Sequence, residues 1–78
     1  MNPPDEKWQA RAKGVLKGEL ARRNISYQQL AERLGEIGWR DNAANIANKV
    51  SRGTFTTAFF IACLDAIGCR VLRLQEDE

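Results

Sequence analysis

Ser26-Tyr27-Gln28-Gln29-Leu30-Ala31 begins one short helix of this chain, and Asn45-Ile46-Ala47-Asn48-Lys49-Val50-Ser51-Arg52-Gly53 forms most of another. In the first stretch, Ser26 and Gln29 match a capping box, in which each side chain accepts the backbone N–H of the other residue. In the second, apolar residues recur at helical spacing on one side, and amides and basic groups occupy the other. Gly53 is suited to end this second helix in a left-handed conformation. The two stretches therefore predict two consecutive helices with well-defined ends.

The later of these helices, expected over residues 41–52 with Asp41 as its cap, has an unusual outward side. Its buried side should consist of Ala43, Ile46, Ala47 and Val50. At 100° per residue, the opposite side carries Asn45, Asn48 and Arg52, and one flank adds Asn42 and Lys49. Asn is a mediocre helix former, so each one on an exposed helical face costs roughly a few tenths of a kcal/mol. Repeated use of Asn there indicates a function.

Helical spacing also defines the amino-terminal helices. The first should run from about Asp5, its cap, to Arg23, with an apolar stripe of Trp8, Ala12, Val15, Leu16 and Leu20. Asn24 suits a left-handed stop. The second helix, begun at Ser26, should bury Leu30, Ala31, Leu34 and Ile37, and Gly38 is suited to end it.

A fourth helix is expected over residues 57–67, started by Thr56 or Thr57 and stopped by Gly68. Its core stripe should contain Phe60, Cys63, Leu64 and Ile67. Two aromatic residues outside the helices, Trp39 and Phe55, should also pack into the core. The alternative for Trp39 is a ring that stacks on or intercalates between bases. Asp65 is the only charged residue of this fourth helix, so it is apolar nearly all round and is either central or covered by a second subunit.

These elements define an all-α fold: four main helices with a central helix-turn-helix, followed by a short C-terminal extended segment. The pattern of the segment, 69–74, fits both a short strand and a last helical turn, and β-branched Val71 together with the flanking Gly68 favours the extended form. We expect residues 1–78 to form a single domain, because a chain of this size buries only about 60% of its unfolded surface. The lead-in 1–4 and the acidic tip 75–78 should be mobile.

Composition argues against several classes of protein. The longest apolar run, 58–64, has seven residues, against the ~20 that a membrane span requires. No secretory signal is apparent, so we expect a cytoplasmic protein with no membrane crossing, in which Cys63 and Cys69 are free core thiols. With no His and no Cys-x-x-Cys spacing, we expect no metal, no cofactor and no enzyme activity.

The distribution of charge favours a nucleic-acid partner. Between Arg11 and Arg73 the chain has eleven Lys or Arg against five acids, a net charge of +6, whereas acids cluster at both ends. Many surfaces of this size carry similar charge without such a role. Four bases of the first helix could extend a positive surface or could form an ordinary solvated face: Lys13, Lys17, Arg22 and Arg23.

The motifs resemble those of the lambda-repressor-like (Cro/repressor, or Xre-type) helix-turn-helix domains. The resemblance spans about Leu16 to Gly68 and rests on Ile25-Ser26-x-x-x-Leu30-Ala31-x-x-Leu34-Gly35, on Asn45-Ile46-x-x-Lys49-Val50-Ser51-Arg52-Gly53 and on Leu64-Asp65-Ala66-Ile67-Gly68. The chain also looks similar to a group of short uncharacterised bacterial proteins that share Asn48-Lys49-Val50-Ser51-Arg52-Gly53-Thr54-Phe55.

This resemblance implies that the third helix lies in the major groove of DNA, while the start of the second helix and the turn after the third hold phosphates. Two features depart from the family pattern. Tyr27 stands where the family often has Gln, with Gln28 beside it. The link 35–40 is also longer than the family's tight turn, which changes the angle at which the third helix is presented.

The residues predicted to contact base edges are Asn42, Asn45, Asn48 and Arg52. Asn can bind adenine, and Arg can bind guanine, through two hydrogen bonds each. The residues predicted to hold phosphates are Tyr27, Gln28, Arg40, Lys49 and Thr54. The alternative for both groups is an ordinary solvated surface.

The expected function is a sequence-specific DNA-binding transcriptional regulator that binds double-stranded DNA, with no small-molecule substrate. It should act as a homodimer, because the fourth helix and the segment after it carry surplus apolar surface. The predicted dimer interface contains Phe59, Ala62, Val71, Leu72 and Leu74. The alternative is a protein–protein interaction module that uses helix 57–67 and the C-terminal segment of the same scaffold.

Overall fold

Four α-helices make up the fold in the computed structural model, which describes residues 4–74. They are α1 (Pro4–Arg22), α2 (Tyr27–Glu36), α3 (Ala43–Arg52) and α4 (Thr57–Ala66). Within residues 4–74 there is no strand, and residues 69–74 follow α4 without regular structure. The prediction of an all-α fold is confirmed. The tip 75–78 and most of the lead-in lie outside the described residues, but Pro4 already belongs to α1 rather than to a frayed end.

The core is formed where α2 packs against α3 and α4 and where α1 packs against α3. Each helix contributes large apolar side chains that are at most 7% exposed. They are Leu16, Leu20, Leu30, Leu34, Ile46, Val50, Phe59, Cys63, Leu64 and Ile67. The short helices α2, α3 and α4 thus surround one apolar centre, and the second half of α1 closes it.

The first turns of α1 differ from the prediction. Asp5 lies inside the first turn rather than at the cap. In the first turn its negative charge still interacts favourably with the positive end of the helix dipole. Trp8, expected in the core, is 54% exposed. At 1.5 Å per residue α1 is about 28 Å long and its partners are each about 15 Å long. The start of α1 therefore extends beyond the core. There the ring of Trp8 lies beneath the cations of Lys7 and Arg11.

The junction between α1 and α2 follows the prediction. Asn24 is left-handed, with φ 56°. The Ser26 hydroxyl accepts the Gln29 backbone N–H at 3.1 Å, and the Gln29 side-chain oxygen accepts the Ser26 backbone N–H at 2.8 Å. The predicted capping box is therefore confirmed. Ile37, however, is 48% exposed, because α2 ends at Glu36 and the next residue leaves the helical stripe.

The helix α3 is capped by Asn42, not by Asp41 as expected. The Asn42 side-chain oxygen accepts the backbone N–H of Asn45 at 2.8 Å. At the other end Gly53 adopts the left-handed conformation, with φ 70°. A β-carbon there would lie 2.7 Å from the carbonyl oxygen of Gln9, so α1 approaches the end of α3 too closely for any side chain.

In α4 the burial of two neighbouring phenylalanines is the reverse of the prediction. Thr56 caps the helix by accepting the Phe59 backbone N–H at 3.0 Å. Phe59 is 1% exposed. The centre of its ring lies 5.6 Å from that of Trp39, in an edge-to-face arrangement, and 5.7 Å from that of Phe55. Phe60 is only partly buried and stacks on Phe55. The predicted packing of Trp39 and Phe55 onto the core is confirmed.

Both cysteines are free thiols, as expected. Cys63 is fully buried, and this burial raises its pKa to about 12. Cys69 is partly buried and packs at the edge of the core, where its Sγ lies 3.8 Å from a carboxylate oxygen of Glu19. Cys63 therefore behaves as a core side chain rather than as a nucleophile.

Candidate nucleic-acid interface

One side of α3 is exposed and carries only amide, basic and small side chains. The exposed residues are Ala44, Asn45, Asn48, Ser51 and Arg52, which we call the outward face of α3. On the opposite side Ile46 and Val50 are 0% exposed and anchor the helix to the core. The orientation predicted for Asn45, Asn48 and Arg52 is therefore the observed one.

Asn48 and Arg52 are the uncommitted side chains of the outward face with the most hydrogen-bonding groups. Within residues 4–74, the Asn48 amide and the Arg52 guanidinium take part in no side-chain hydrogen bond or ion pair. Both residues are exposed, one turn apart on the helix. The amide retains two donors and an acceptor, and the guanidinium retains its forked set of donors. Their full hydrogen-bonding capacity is available to a ligand.

Asn42 and Asn45, by contrast, belong to a network at the start of α3. The oxygen of the Asn42 side chain is used by the cap. The amide nitrogen of Asn45 donates to Oδ1 of Asp41 at 3.1 Å, and the same oxygen accepts the Asn42 backbone N–H at 2.9 Å. Each side chain remains exposed but keeps only part of its hydrogen-bonding capacity.

Lys49 connects this network to the core. Its Nζ donates to Oδ2 of Asp41 at 2.7 Å and lies 5.2 Å from the ring centre of Phe59 and 5.9 Å from that of Trp39. The pKa of Asp41 is lowered, first by the Lys49 hydrogen bond and then by that of Asn45. A phosphate would have to compete with Asp41 for Lys49, which is therefore the most committed of the predicted phosphate ligands.

The other predicted phosphate ligands lie on three separate segments. Gln28 is exposed at the start of α2, Arg40 in the link before α3 and Thr54 in the turn after it. Tyr27 is partly buried against the core, and this burial raises its pKa. Within the described part of the chain none of these four side chains makes a hydrogen bond, so no contact draws them into one cluster.

The helix α1 supports the end of α3 through its backbone and through one base. Lys13 donates from Nζ to the carbonyl oxygen of Ser51 at 3.1 Å. A cation at the carboxyl end of a helix also interacts favourably with the negative end of the helix dipole. Together with the close approach of Gln9 to Gly53, this contact holds the last turn of α3 in place.

Besides Lys13, two more of the bases proposed to widen the positive surface have internal partners. Arg22 donates to Glu19 at 2.7 Å, and Arg23 donates to the other oxygen of the same carboxylate. Glu19 is only 5% exposed. Its pKa is lowered chiefly by the Arg22 hydrogen bond, against the opposing effect of burial. These arginines therefore act as structural partners of a buried acid.

Two residues of the outward face were missed by the sequence reasoning, Ala44 and Ser51. They lie together along one edge of the face, beside Asn48 and Arg52. Their small side chains leave room for a surface to approach, and Ala and Ser can themselves contact a thymine methyl group or a base edge. The same rotation of 100° per residue would have placed both on this face.

Only some residues of the predicted dimer interface are exposed at the surface of the protomer. Phe59 is buried inside the protomer, and Ala62 and Leu72 pack against the core. Val71 and Leu74 are 79% and 65% exposed, and Ile61, which was not predicted, is 56% exposed. Phe59 is therefore wrong as an interface residue, because the aromatic rings of Trp39 and Phe55 cover it.

Comparison with known proteins gives a family but no function. Of the helices described, none is long and apolar enough to cross a membrane. No curated protein and no solved structure matches the chain. One family model matches residues 8–72, which cover the four helices except for the first turn of α1, and its description is "Domain of unknown function (DUF6471)". The chain therefore belongs to the DUF6471 family.

Proposed function

We propose that this protein is a sequence-specific DNA-binding transcriptional regulator in which α3 reads the major groove. The observation that carries the proposal is the outward face of α3. It presents uncommitted Asn48 and Arg52 side chains beside small neighbours, on a helix that the fully buried Ile46 and Val50 anchor from the opposite side. A merely solvated helix is more usually covered by Glu and Lys, which are better helix formers.

The dimensions of α3 suit a groove. The major groove is about 12 Å wide and admits one α-helix, and a ten-residue helix is about 15 Å long. The small side chains of Ala44 and Ser51 would let the helix backbone come close to the bases. Asn48 would then grip an adenine, Arg52 a guanine, and Asn45 and Asn42 would add single contacts with the groups left free by their network.

The remaining contacts in this proposal position the domain on the backbone. Gln28, Arg40 and Thr54 are exposed, at the start of α2, in the link before α3 and in the turn after α3, and would meet phosphates on either side of the groove. Tyr27 and Lys49 would contribute less, because one is partly buried and the other is paired with Asp41. The net charge of +6 between Arg11 and Arg73 supports such binding.

The proposal extends to the resemblance with lambda-repressor-like domains, to a homodimer and to a cytoplasmic location, and it assigns a binding role rather than an enzymatic one. The exposed side chains of Ile61, Val71 and Leu74 would supply the dimer contact. Two copies of α3 would then enter successive major grooves of a two-fold related site.

Selection of bound sequences from random duplex DNA, at two salt concentrations, tests this proposal. We expect an enriched motif with two-fold symmetry and binding that weakens steeply as salt rises, because phosphate contacts release counterions. The absence of an enriched motif would reject sequence-specific recognition, and the absence of a salt dependence as well would reject DNA binding altogether.

The second candidate is a protein-interaction module, favoured by the same exposed apolar side chains of Ile61 and Val71. It is separated from the first by Ile61→Asp and Val71→Asp, compared with Arg52→Ala. An interaction module should lose its partner through the first two changes and be indifferent to the third. Phe59 cannot serve in this test, because a change at a buried side chain would destabilise the domain itself.

A further inference from the structure

Asp41 lies immediately before α3 and is held there by three hydrogen bonds. Its Oδ1 accepts the Asn42 backbone N–H at 2.9 Å and the Asn45 side-chain amide at 3.1 Å, and its Oδ2 accepts Lys49 Nζ at 2.7 Å. The carboxylate side chain is 11% exposed, whereas Asn45 is exposed. A partly buried, three-times bonded acid thus touches a residue of the outward face of α3.

The contact determines which end of the Asn45 amide faces outward. An ionised carboxylate has only acceptors, so the amide must turn its nitrogen, not its oxygen, toward Asp41. The lowered pKa of Asp41 keeps the carboxylate ionised at neutral pH. The Oδ1 of Asn45 is therefore directed away from Asp41, and at most one N–H of the same amide is left for another partner.

Bases differ in what they offer to such an oxygen. In the major groove adenine and cytosine present an exocyclic amino group, which donates, whereas guanine and thymine present a carbonyl oxygen, which only accepts. An outward amide oxygen meets a donor in the first two cases and another lone pair in the other two. Asn48, which has no such partner within residues 4–74, can turn its amide over and accept either arrangement.

We propose that Asp41 is a positioning residue that orients the Asn45 amide, so that Asn45 selects a base with an exocyclic amino group, adenine or cytosine, over guanine or thymine. This inference rests on the proposed function and adds the class of base read at one position. It also predicts that the preference at the Asn45 position is stricter in this respect than that at the Asn48 position.

The test is selection from random duplex DNA with the wild-type chain, Asn45→Ala and Asp41→Asn. Asn45→Ala identifies the position that Asn45 reads, because that position loses its preference. In the wild type, adenine or cytosine should be favoured there by about tenfold or more. In Asp41→Asn, whose neutral amide can donate to Asn45 as well as accept from it, guanine and thymine should rise to within about threefold of the amino bases.

Asp65→Asn is the matched control, since it removes one exposed acid from α4. It accounts for the general gain in affinity when a negative charge is lost, and it should leave every base preference unchanged. Lys49 loses its charged partner in Asp41→Asn, so thermal unfolding followed by circular dichroism should accompany the selection. A second measurement leaves the protein intact: an analogue base without the exocyclic amino group at the Asn45 position should weaken wild-type binding by about tenfold.

Three results would overturn the inference. They are wild-type selection of guanine or thymine at the Asn45 position, an unchanged preference there in folded Asp41→Asn, and indifference to the analogue base. Each of these presupposes an enriched wild-type motif. A wild type that enriches no motif at all would instead reject the proposed function, and the inference with it.

Discussion

The helices α3 and α4 are built alike at their ends and differently along their sides. Each has ten residues and begins at a side-chain cap, Asn42 in one and Thr56 in the other. Each is followed by a left-handed glycine, Gly53 or Gly68. The side of α3 away from the core is polar, whereas that of α4 includes Ile61, which is 56% exposed. The rules that form a helix are thus independent of what its outer face can bind.

The two helices are also held in different ways. At the start of α3, Asp41 accepts hydrogen bonds from Asn45 and from Lys49, and the Lys49 ammonium group lies over core aromatic rings. The last turn of α3 is contacted by Lys13 and Gln9 of α1. The position of α4 depends instead on aromatic packing around Phe59. A recognition surface needs its side chains held on a rigid element, and α3 meets that need at both ends. Three pairs of substitutions test this contrast.

The largest effect is expected in α4. Phe59→Ala removes a fully buried ring and should lower the free energy of unfolding by about 3–5 kcal/mol, a large fraction of the stability of a small domain. Ile61→Ala, in the same helix but 56% exposed, should lower it by less than about 1 kcal/mol. Urea denaturation followed by circular dichroism measures both. Equal losses would contradict the burial described for α4.

The glycines after α3 and α4 separate backbone strain from close packing. Gly53→Ala should destabilise by about 2–4 kcal/mol, because the new β-carbon adds a backbone clash to a left-handed conformation. Gly68→Ala has the strain without the clash, since no atom lies within 4 Å of its β-carbon position. It should cost about 1–2 kcal/mol. Thermal unfolding of both variants gives the difference, and a larger loss at Gly68 would exclude the α1–α3 approach.

How far the sequence predicts this fold depends on whether a helix has two distinct sides. In α3, polar and apolar residues separate cleanly, and the burial of Ile46 and Val50 follows from spacing alone. In α4 both Phe59 and Phe60 are apolar and adjacent, so periodicity cannot choose between them. The choice is made by Trp39 and Phe55, which come from other parts of the chain.

Contacts distant in the sequence also decide the details of the candidate site. Asp41 and Asn42 are both good cap residues, and local propensity does not rank them. Lys49, eight residues after Asp41, pairs with Asp41 and leaves the cap to Asn42. The outward face was therefore predictable from spacing, but the division between committed Asn42 and Asn45 and uncommitted Asn48 was not.

The two caps should contribute equally to stability but unequally to binding. Asn42→Ala and Thr56→Ala each remove one side-chain acceptor from a helix start and should cost about 1 kcal/mol. Only Asn42→Ala should also weaken DNA binding, because it disturbs the network at the start of α3. Chemical denaturation and a binding titration on the selected duplex measure the two effects. Equal losses of binding would remove the distinction between the helices.

The smallest effect on stability is expected at Glu19. This residue of α1 lies next to Cys69, in the segment after α4. Its pKa is lowered from an ordinary value of 4.5 by Arg22 and Arg23. The carboxylate therefore stabilises the folded chain above that value, and this contribution disappears as the pH falls through the folded-state pKa. Glu19→Gln should cost about 1 kcal/mol near neutral pH.

Denaturation midpoints measured across acidic pH check this prediction. The difference between the wild type and Glu19→Gln should shrink below pH 4.5. Glu32→Gln, which alters an exposed acid of α2, is the control and should show no such difference. A gap between the wild type and Glu19→Gln that widens in acid would mean that the arginines do not stabilise the Glu19 carboxylate.

The central claim, that the outward face of α3 reads DNA, is tested most directly by one ratio, the affinity for the selected duplex divided by that for an unrelated duplex at the same salt concentration. It should be measured for the wild type, Arg52→Ala and Arg70→Ala, since both variants remove one exposed positive charge. We predict that Arg52→Ala lowers the ratio about tenfold or more and that Arg70→Ala leaves it nearly unchanged. An unchanged ratio in Arg52→Ala, or an equal fall in both variants, would contradict the claim.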